Sequence, residues 1–135
     1  MSAPSAPARA TFRKHERLTG RDLIADVVKN GRSINASPLR ITGRVRPLDS
    51  VAPAQVAFAI PKRHVRHASD RNRIRRVLRE AWRLDKEQWY RTLRAAGVQC
   101  AWLILYGSDQ APSLADARAL LGGTMERWLK QHLAA

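Results

Sequence analysis

The chain has 135 residues, 25 Lys+Arg against 11 Asp+Glu for a formal net charge of +14, and a hydrophobic share of 44% with four tryptophans. These values exclude an intrinsically disordered chain and suit one domain with a core of its own. A pI near 11.5 directs attention to polyanions, nucleic acid before an anionic membrane surface.

Lysine occurs only at positions 14, 29, 62, 86 and 130, so arginine carries most of the charge, which favours phosphate forks and stacking on bases. The single cysteine, Cys100, lies in the apolar run VQCAWLILY. It allows no internal disulfide and no cysteine-built zinc site, and it predicts a buried thiol in a reducing compartment. No apolar stretch reaches the roughly 20 residues of a membrane span. The opening MSAPSAPARA lacks a hydrophobic signal core. The expectation is a cytoplasmic protein.

In chain order, residues 1–11 are Ala/Pro/Ser-rich and predict a flexible tail, with residues 12–135 forming a single α+β domain. Leu23, Ile24, Val27 and Val28 share one face of a helix over Arg21–Lys29, with Thr19 as its cap and Gly31 as its stop. A short strand near Arg32–Asn35 is weakly signalled. From Leu39 to Arg46 the period becomes two, with Leu39, Ile41 and Val45 on one face and Arg40, Thr42, Arg44 and Arg46 on a basic one. Gln55–Ile60 repeats this pattern through Val56, Phe58 and Ile60, and Pro61 ends it.

The stretch Pro61–Arg83 then holds nine basic residues against Asp70 and Glu80, half of the chain's net charge in 23 residues. A helix is expected from near Arg71, capped by Ser69 or Asp70 and continuing over Leu84–Ala96 with a break near Asp85, until Gly97 closes it. Val98–Tyr106 reads as a central strand covered on at least one face. Ser113 caps a last helix whose apolar positions are Leu114, Ala117, Leu120, Leu121, Met125, Trp128 and Leu129, with Gly122-Gly123 as a bend or a close approach. The order of helix, strands, helix, strand, helix describes an α+β layer sandwich.

On the basic helix, Ile74, Val77, Leu78, Ala81 and Trp82 fall within an arc of roughly 140°. Arg75, Arg76, Arg79 and Arg83 fall within another of about 100°, with Asn72 inside it and Arg71 at its edge. A solvated helix face normally mixes signs and gains from opposite charges at i,i+4. Here Arg71, Arg75 and Arg79 repeat at that spacing with Glu80 the only acid among them. Such a side suits a phosphate backbone, where flanking arginines grip phosphates and Asn72, at the helix start, bonds either the backbone or a sugar or base edge.

The run Arg71-Asn72-Arg73-Ile74-Arg75-Arg76 with Arg79-Glu80 closely resembles the RNR signature of the bacterial ribonuclease P protein subunit. Val56-Ala57-Phe58-Ala59-Ile60-Pro61-Lys62-Arg63, Ala68, and Arg17-Leu18-Thr19 through Lys29-Asn30-Gly31-Arg32 extend the likeness to roughly residues 12–132. The resemblance implies a two-layer α-β-β-β-α-β-α sandwich with a left-handed crossover at the basic helix. It implies a magnesium-dependent holoenzyme in which an RNA subunit hydrolyses precursor tRNA to release the 5′ leader. By the same resemblance Arg71, Asn72, Arg73, Arg75, Arg76 and Arg79 contact the catalytic RNA, and Lys62, Arg63 and Arg66 extend that surface. Arg40 and Phe58 are implied for a cleft that holds the leader.

The family often has two aromatic residues on the first helix, where this chain has Ile24 and Val28. Base stacking on an aromatic is worth about 1–3 kcal/mol. Either these two face the core, or leader binding rests more on Phe12, Phe58 and the strand arginines.

A protein catalyst would need clustered carboxylates or positioned histidines. The eleven acids are scattered, and His64 and His67 lie among Lys62, Arg63 and Arg66, so no catalytic residue is assigned and no metal position is identified. The tryptophans read as core. Magnesium is expected on the RNA, precursor tRNA as the second partner, and neither a membrane nor an obligate protein partner is implied. The rival reading is a non-enzymatic basic module such as a ribosomal protein.

Overall fold

The computed structural model describes residues 12–133, so the segment read as a tail lies outside the described residues. The elements run α1 (Arg21–Asn30), β1 (Arg32–Ala36), β2 (Leu39–Val45), β3 (Ala54–Ala59), α2 (Ala68–Ala96), β4 (Cys100–Tyr106) and α3 (Leu114–His132), in the expected order. The strands form one mixed sheet in the order β1-β2-β4-β3. β1, β2 and β4 pair antiparallel in sequence, and β3 joins β4 in parallel through α2. As expected, β4 is central, and its apolar run reflects cover on both faces.

Period-two alternation sorts the sheet residues onto its two faces. Val56, Phe58, Cys100, Trp102, Ile104, Leu39 and Ile41 face α2 and α3, where Ile74, Leu78, Trp82, Trp89, Leu121, Met125 and Trp128 complete the main core. Trp82, Trp89, Trp102 and Trp128 are all buried there, as the sequence predicts. The opposite face carries Ala57, Ala59, Ala101, Leu103 and Leu105, which α1 partly covers through Leu23, Ile24 and Val27. α1 thus adds a partial layer behind the α2/α3-on-sheet sandwich.

Several local expectations are corrected. Gly20, not Thr19, caps α1, at φ 94 and without a side-chain bond, a backbone value that favours glycine. Val45 is exposed at the strand end, while Thr42 is buried under α1 and shares a 2.7 Å hydrogen bond with Ser33. α2 begins at Ala68 with His67 as its cap, so Ser69 and Asp70 sit in the first turn, where Asp70 favours the positive end of the helix dipole. The helix does not break at Asp85, whose carboxylate accepts two bonds from Arg118 on α3, at 2.7 and 3.0 Å. Gly97 ends it at φ 70, with the Val98 amide donating to the Leu93 carbonyl at 3.1 Å. Ser113 caps α3 by accepting from the Asp116 amide at 3.0 Å. Leu114 is exposed rather than docked, and Gly122 and Gly123 lie within an uninterrupted helix where an added Cβ would meet nothing within 4 Å.

Candidate nucleic-acid interface

α2 presents its arginines because its other side is committed to the core. Ile74, Leu78, Ala81 and Trp82 are buried, which turns Asn72, Arg73, Arg76 and Arg79 to solvent. The face is not uniform, however. The Arg71 guanidinium bends back to donate to the carbonyls of Val65 and Arg66, both at 2.9 Å, and so braces the Pro61–His67 loop. Arg75 donates from Nε to the Phe58 carbonyl at 3.3 Å and from Nη1 to Asn72 Oδ1 at 2.9 Å. That bond occupies the Asn72 oxygen and leaves its amide nitrogen as a donor toward a partner.

Lys62, Arg66, Arg73, Arg76 and Arg79 have no acid partner among the described residues. Glu80 is engaged with Arg83 at 2.6 and 2.9 Å, and that pairing lowers its pKa. Partial desolvation of an otherwise exposed side chain, with Arg17 and Arg75 close by, pulls Arg79 below the ordinary arginine value. It remains charged at neutral pH, so this cluster carries a repulsion that an anion would relieve.

The N-terminal segment forms the second wall. Residues Lys14–Glu16 make a single 3-10 turn, Arg17 bridges to Val56, and the Leu18 amide donates to the Val56 carbonyl at 2.9 Å. This covers the free edge of β3. The segment is anchored to α2 by buried Glu16, which accepts from Tyr90 Oη at 2.8 Å and from the Arg13 amide at 3.0 Å and pairs with Lys86. Burial alone would raise the Glu16 pKa, but these bonds outweigh it and hold the carboxyl below its ordinary value. Sequence reasoning missed Glu16 because nothing in KHER distinguishes a buried acid from a solvated one.

Phe12, Arg17, Asn72, Arg75, Arg76, Arg79, Glu80 and Arg83 thereby line an open pocket of about 630 Å³. Arg17 stacks over the Phe12 ring at 5.2 Å, and the Phe12 ring meets Phe58 edge-on at 6.3 Å.

The residues grouped for the leader cleft divide between two surfaces. Phe58 is 7% exposed in the main core, and Phe12 leans on it beside the α2 arginines. Ile24 packs behind the sheet with Ala57, Ala59 and Leu105, and Val28, one turn on, is 62% exposed. Arg40 lies in register with Leu105, on that same face. Phe58 and Phe12 therefore do not join Ile24, Val28 and Arg40 in one cleft, because alternation along β3 sends Phe58 to the α2 side. Of the strand arginines, Arg44 and Arg46 are drawn to Asp26 on α1, each at 2.8 Å.

Lys62, Arg63, His64, Arg66 and His67 are exposed in the loop before α2. Arg63 Nε donates to His64 Nε2 at 3.3 Å. Among the described residues no three His, Cys, Asp or Glu side chains converge as a metal site, and Glu16, Asp26, Glu80, Asp85 and Glu87 are each engaged by a base. Among the described residues the acids therefore offer no three-donor cluster to a magnesium ion. No described helix is long and apolar enough to cross a membrane.

The family model described as Ribonuclease P matches residues 12–112. The ribonuclease P protein component of Chlorobium phaeobacteroides is 40% identical over 114 residues, covering 76% of this chain and 77% of that protein. The one from Porphyromonas gingivalis is 31% identical over 108 residues, covering 80% and 79%. Among solved structures, the RNase P protein of Thermotoga maritima superposes with a TM-score of 0.64 at 17% identity, over 83% of this chain and 96% of that one. That of Staphylococcus aureus gives 0.63 at 13% identity, over 83% and 94%, so both speak for the fold alone. With the family model spanning most of the chain and relatives above 30% identity along most of their length, this protein belongs to the ribonuclease P protein family.

Proposed function

We propose that this chain is the non-catalytic partner in ribonuclease P, holding the RNA subunit that removes the 5′ leader from precursor tRNA. The observation that carries the reading is the α2 face, where Arg73, Arg76 and Arg79 stand exposed without an acid partner among the described residues. Phosphates of the catalytic RNA would neutralise them and release counterions. Asn72 would supply a directional contact among those charge contacts. Lys62, Arg63 and Arg66 would extend the grip along the loop that Arg71 braces.

The single-stranded leader would lie on the other face of the sheet, over Ala57, Ala59 and Leu105, with Ile24 and Val28 on one side and Arg40 on the other. Ala57, Ala59 and Leu105 are half-buried there, and the exposed Arg40 offers a charge for the leader backbone. Phe58 has no part in this surface. The hydrolytic step, and the magnesium it uses, are assigned to the RNA.

The test is to add the purified protein to a bacterial ribonuclease P RNA at low magnesium and to follow 5′ cleavage of precursor tRNA. Stimulated cleavage is expected. Absence of stimulation, together with retained binding to ribosomal RNA, would instead favour a basic module of ribosomal type.

A further inference from the structure

Resting on that proposed function, we infer that the pocket between the N-terminal segment and α2 seats one unpaired nucleotide of the large RNA. In this seat Phe12 and Arg17 receive the base and Arg76 and Arg79 hold the phosphate.

The shape of the surface separates this site from a simple phosphate grip. A helix face docked on duplex RNA needs exposed charge and no concavity, because an A-form duplex shows such a face mainly phosphates. Here a second wall, built from residues outside the RNR run, turns the face into a pocket of about 630 Å³, within the range of ligand sites. That wall is one half-buried aromatic ring and one guanidinium stacked over it at 5.2 Å. Both are platforms on which an unstacked base lies with no sequence requirement.

The charge in the pocket is unspent. Glu80, the acid in its lining, is engaged by Arg83, whereas Arg17, Arg76 and Arg79 have no acid partner among the described residues. The wall is also held in place. The Arg17–Val56 bridge and the Glu16 bonds to Tyr90 and Lys86 fix the C-terminal end of the 3-10 turn, and the Arg13 amide, donating to Glu16 at 3.0 Å, ties its N-terminal end to the same carboxylate. The pocket is lined by the N-terminal segment and α2 and by none of Ile24, Val28, Arg40, Ala59 and Leu105, which assigns a nucleotide bound here to the RNA gripped by α2 rather than to the leader.

The test uses the full chain, the large RNA and precursor tRNAs of two leader lengths. Phe12→Leu keeps the apolar contact with Phe58 but removes the ring, and Arg17→Ala removes an exposed side chain. Each is expected to weaken affinity for the large RNA by roughly five- to tenfold. The dependence of substrate affinity on leader length should stay as in the wild type. Because Cys100 is fully buried, a cysteine introduced as Arg17→Cys is the accessible thiol for a photoreactive label. Its crosslink is expected at an unpaired nucleotide of the large RNA. Wild-type affinity in both variants, or a crosslink in a duplex or in the leader, would overturn the inference while leaving the proposed function intact. A wild-type protein that fails to bind the large RNA would overturn the proposed function itself.

Discussion

Glu16 and Tyr90 stand 74 residues apart in sequence, and the Tyr90 hydroxyl donates to Glu16 Oε1 at 2.8 Å inside the protein. Trp82 Nε1 in turn donates to the same hydroxyl at 3.4 Å, and Lys86 pairs with the carboxylate. The Glu16 and Lys86 side chains are only 5% and 11% exposed, so truncating Glu16 takes the carboxylate from a nearly buried ion pair and from the Tyr90 hydroxyl. Glu16→Ala is expected to cost about 3 kcal/mol by urea unfolding. A midpoint equal to that of the wild type would refute the anchor.

The same carboxyl sets a pH dependence. Its folded-state pKa lies below its ordinary value of 4.5, so the stability it adds is present above pH 4.5 and is lost as pH falls through the lowered folded value. Below pH 4.5 the wild type should therefore lose stability faster than Glu16→Gln. Parallel curves for the two proteins would assign acid sensitivity to other groups.

Gly43 lies on β2 opposite Trp102, and a Cβ there would sit inside contact distance of the Trp102 and Trp128 rings. Both rings are fully buried and packed edge-to-face with centroids 5.5 Å apart, so neither can yield. Gly43→Ala should destabilise by about 1–3 kcal/mol or more, read from the thermal midpoint. A neutral effect would mean that the tryptophan pair repacks.

Arg71 and Arg73 are neighbours in the RNR run with different expected phenotypes. Arg73→Ala should leave stability unchanged, weaken binding to the large RNA, and reduce the slope of log affinity against log salt by about 0.7–0.9. Arg71→Ala removes two bonds to the loop carbonyls and should also cost about 1–2 kcal/mol of stability. Denaturation and salt titration of the two variants, run together, separate bracing from phosphate contact.

On the proposed leader surface, Val28 is exposed and aliphatic. Val28→Phe offers a stacking platform there and should tighten binding of a long-leader substrate about fivefold, without effect on a leaderless one. Equal effects on both substrates would place the leader elsewhere.

Burial raises the Cys100 thiol well above its ordinary value, so it stays protonated at neutral pH. A thiol reagent should label the native protein only as fast as the chain opens, and label it completely in denaturant. Rapid native labelling would contradict the burial.

The features legible in the sequence are those carried by local spacing. The greasy and arginine sides of α2, the strand phases of Leu39–Ile41 and Val56–Phe58, the Ser113 cap and the Gly97 stop all follow from neighbours a few residues apart. The RNR run and its flanks sufficed for the family and the element order. Alternation states which residues share a face, but not which helix covers that face. Only the tertiary structure could therefore send Phe58 to the α2 core, leave Ile24 and Arg40 on the other side, and bury Thr42 while exposing Val45. Charge counting likewise cannot tell an arginine turned inward from one turned out. Arg71 bends to the carbonyls of its own loop and Glu16 reaches a tyrosine 74 residues away because the fold brings those partners within hydrogen-bond distance.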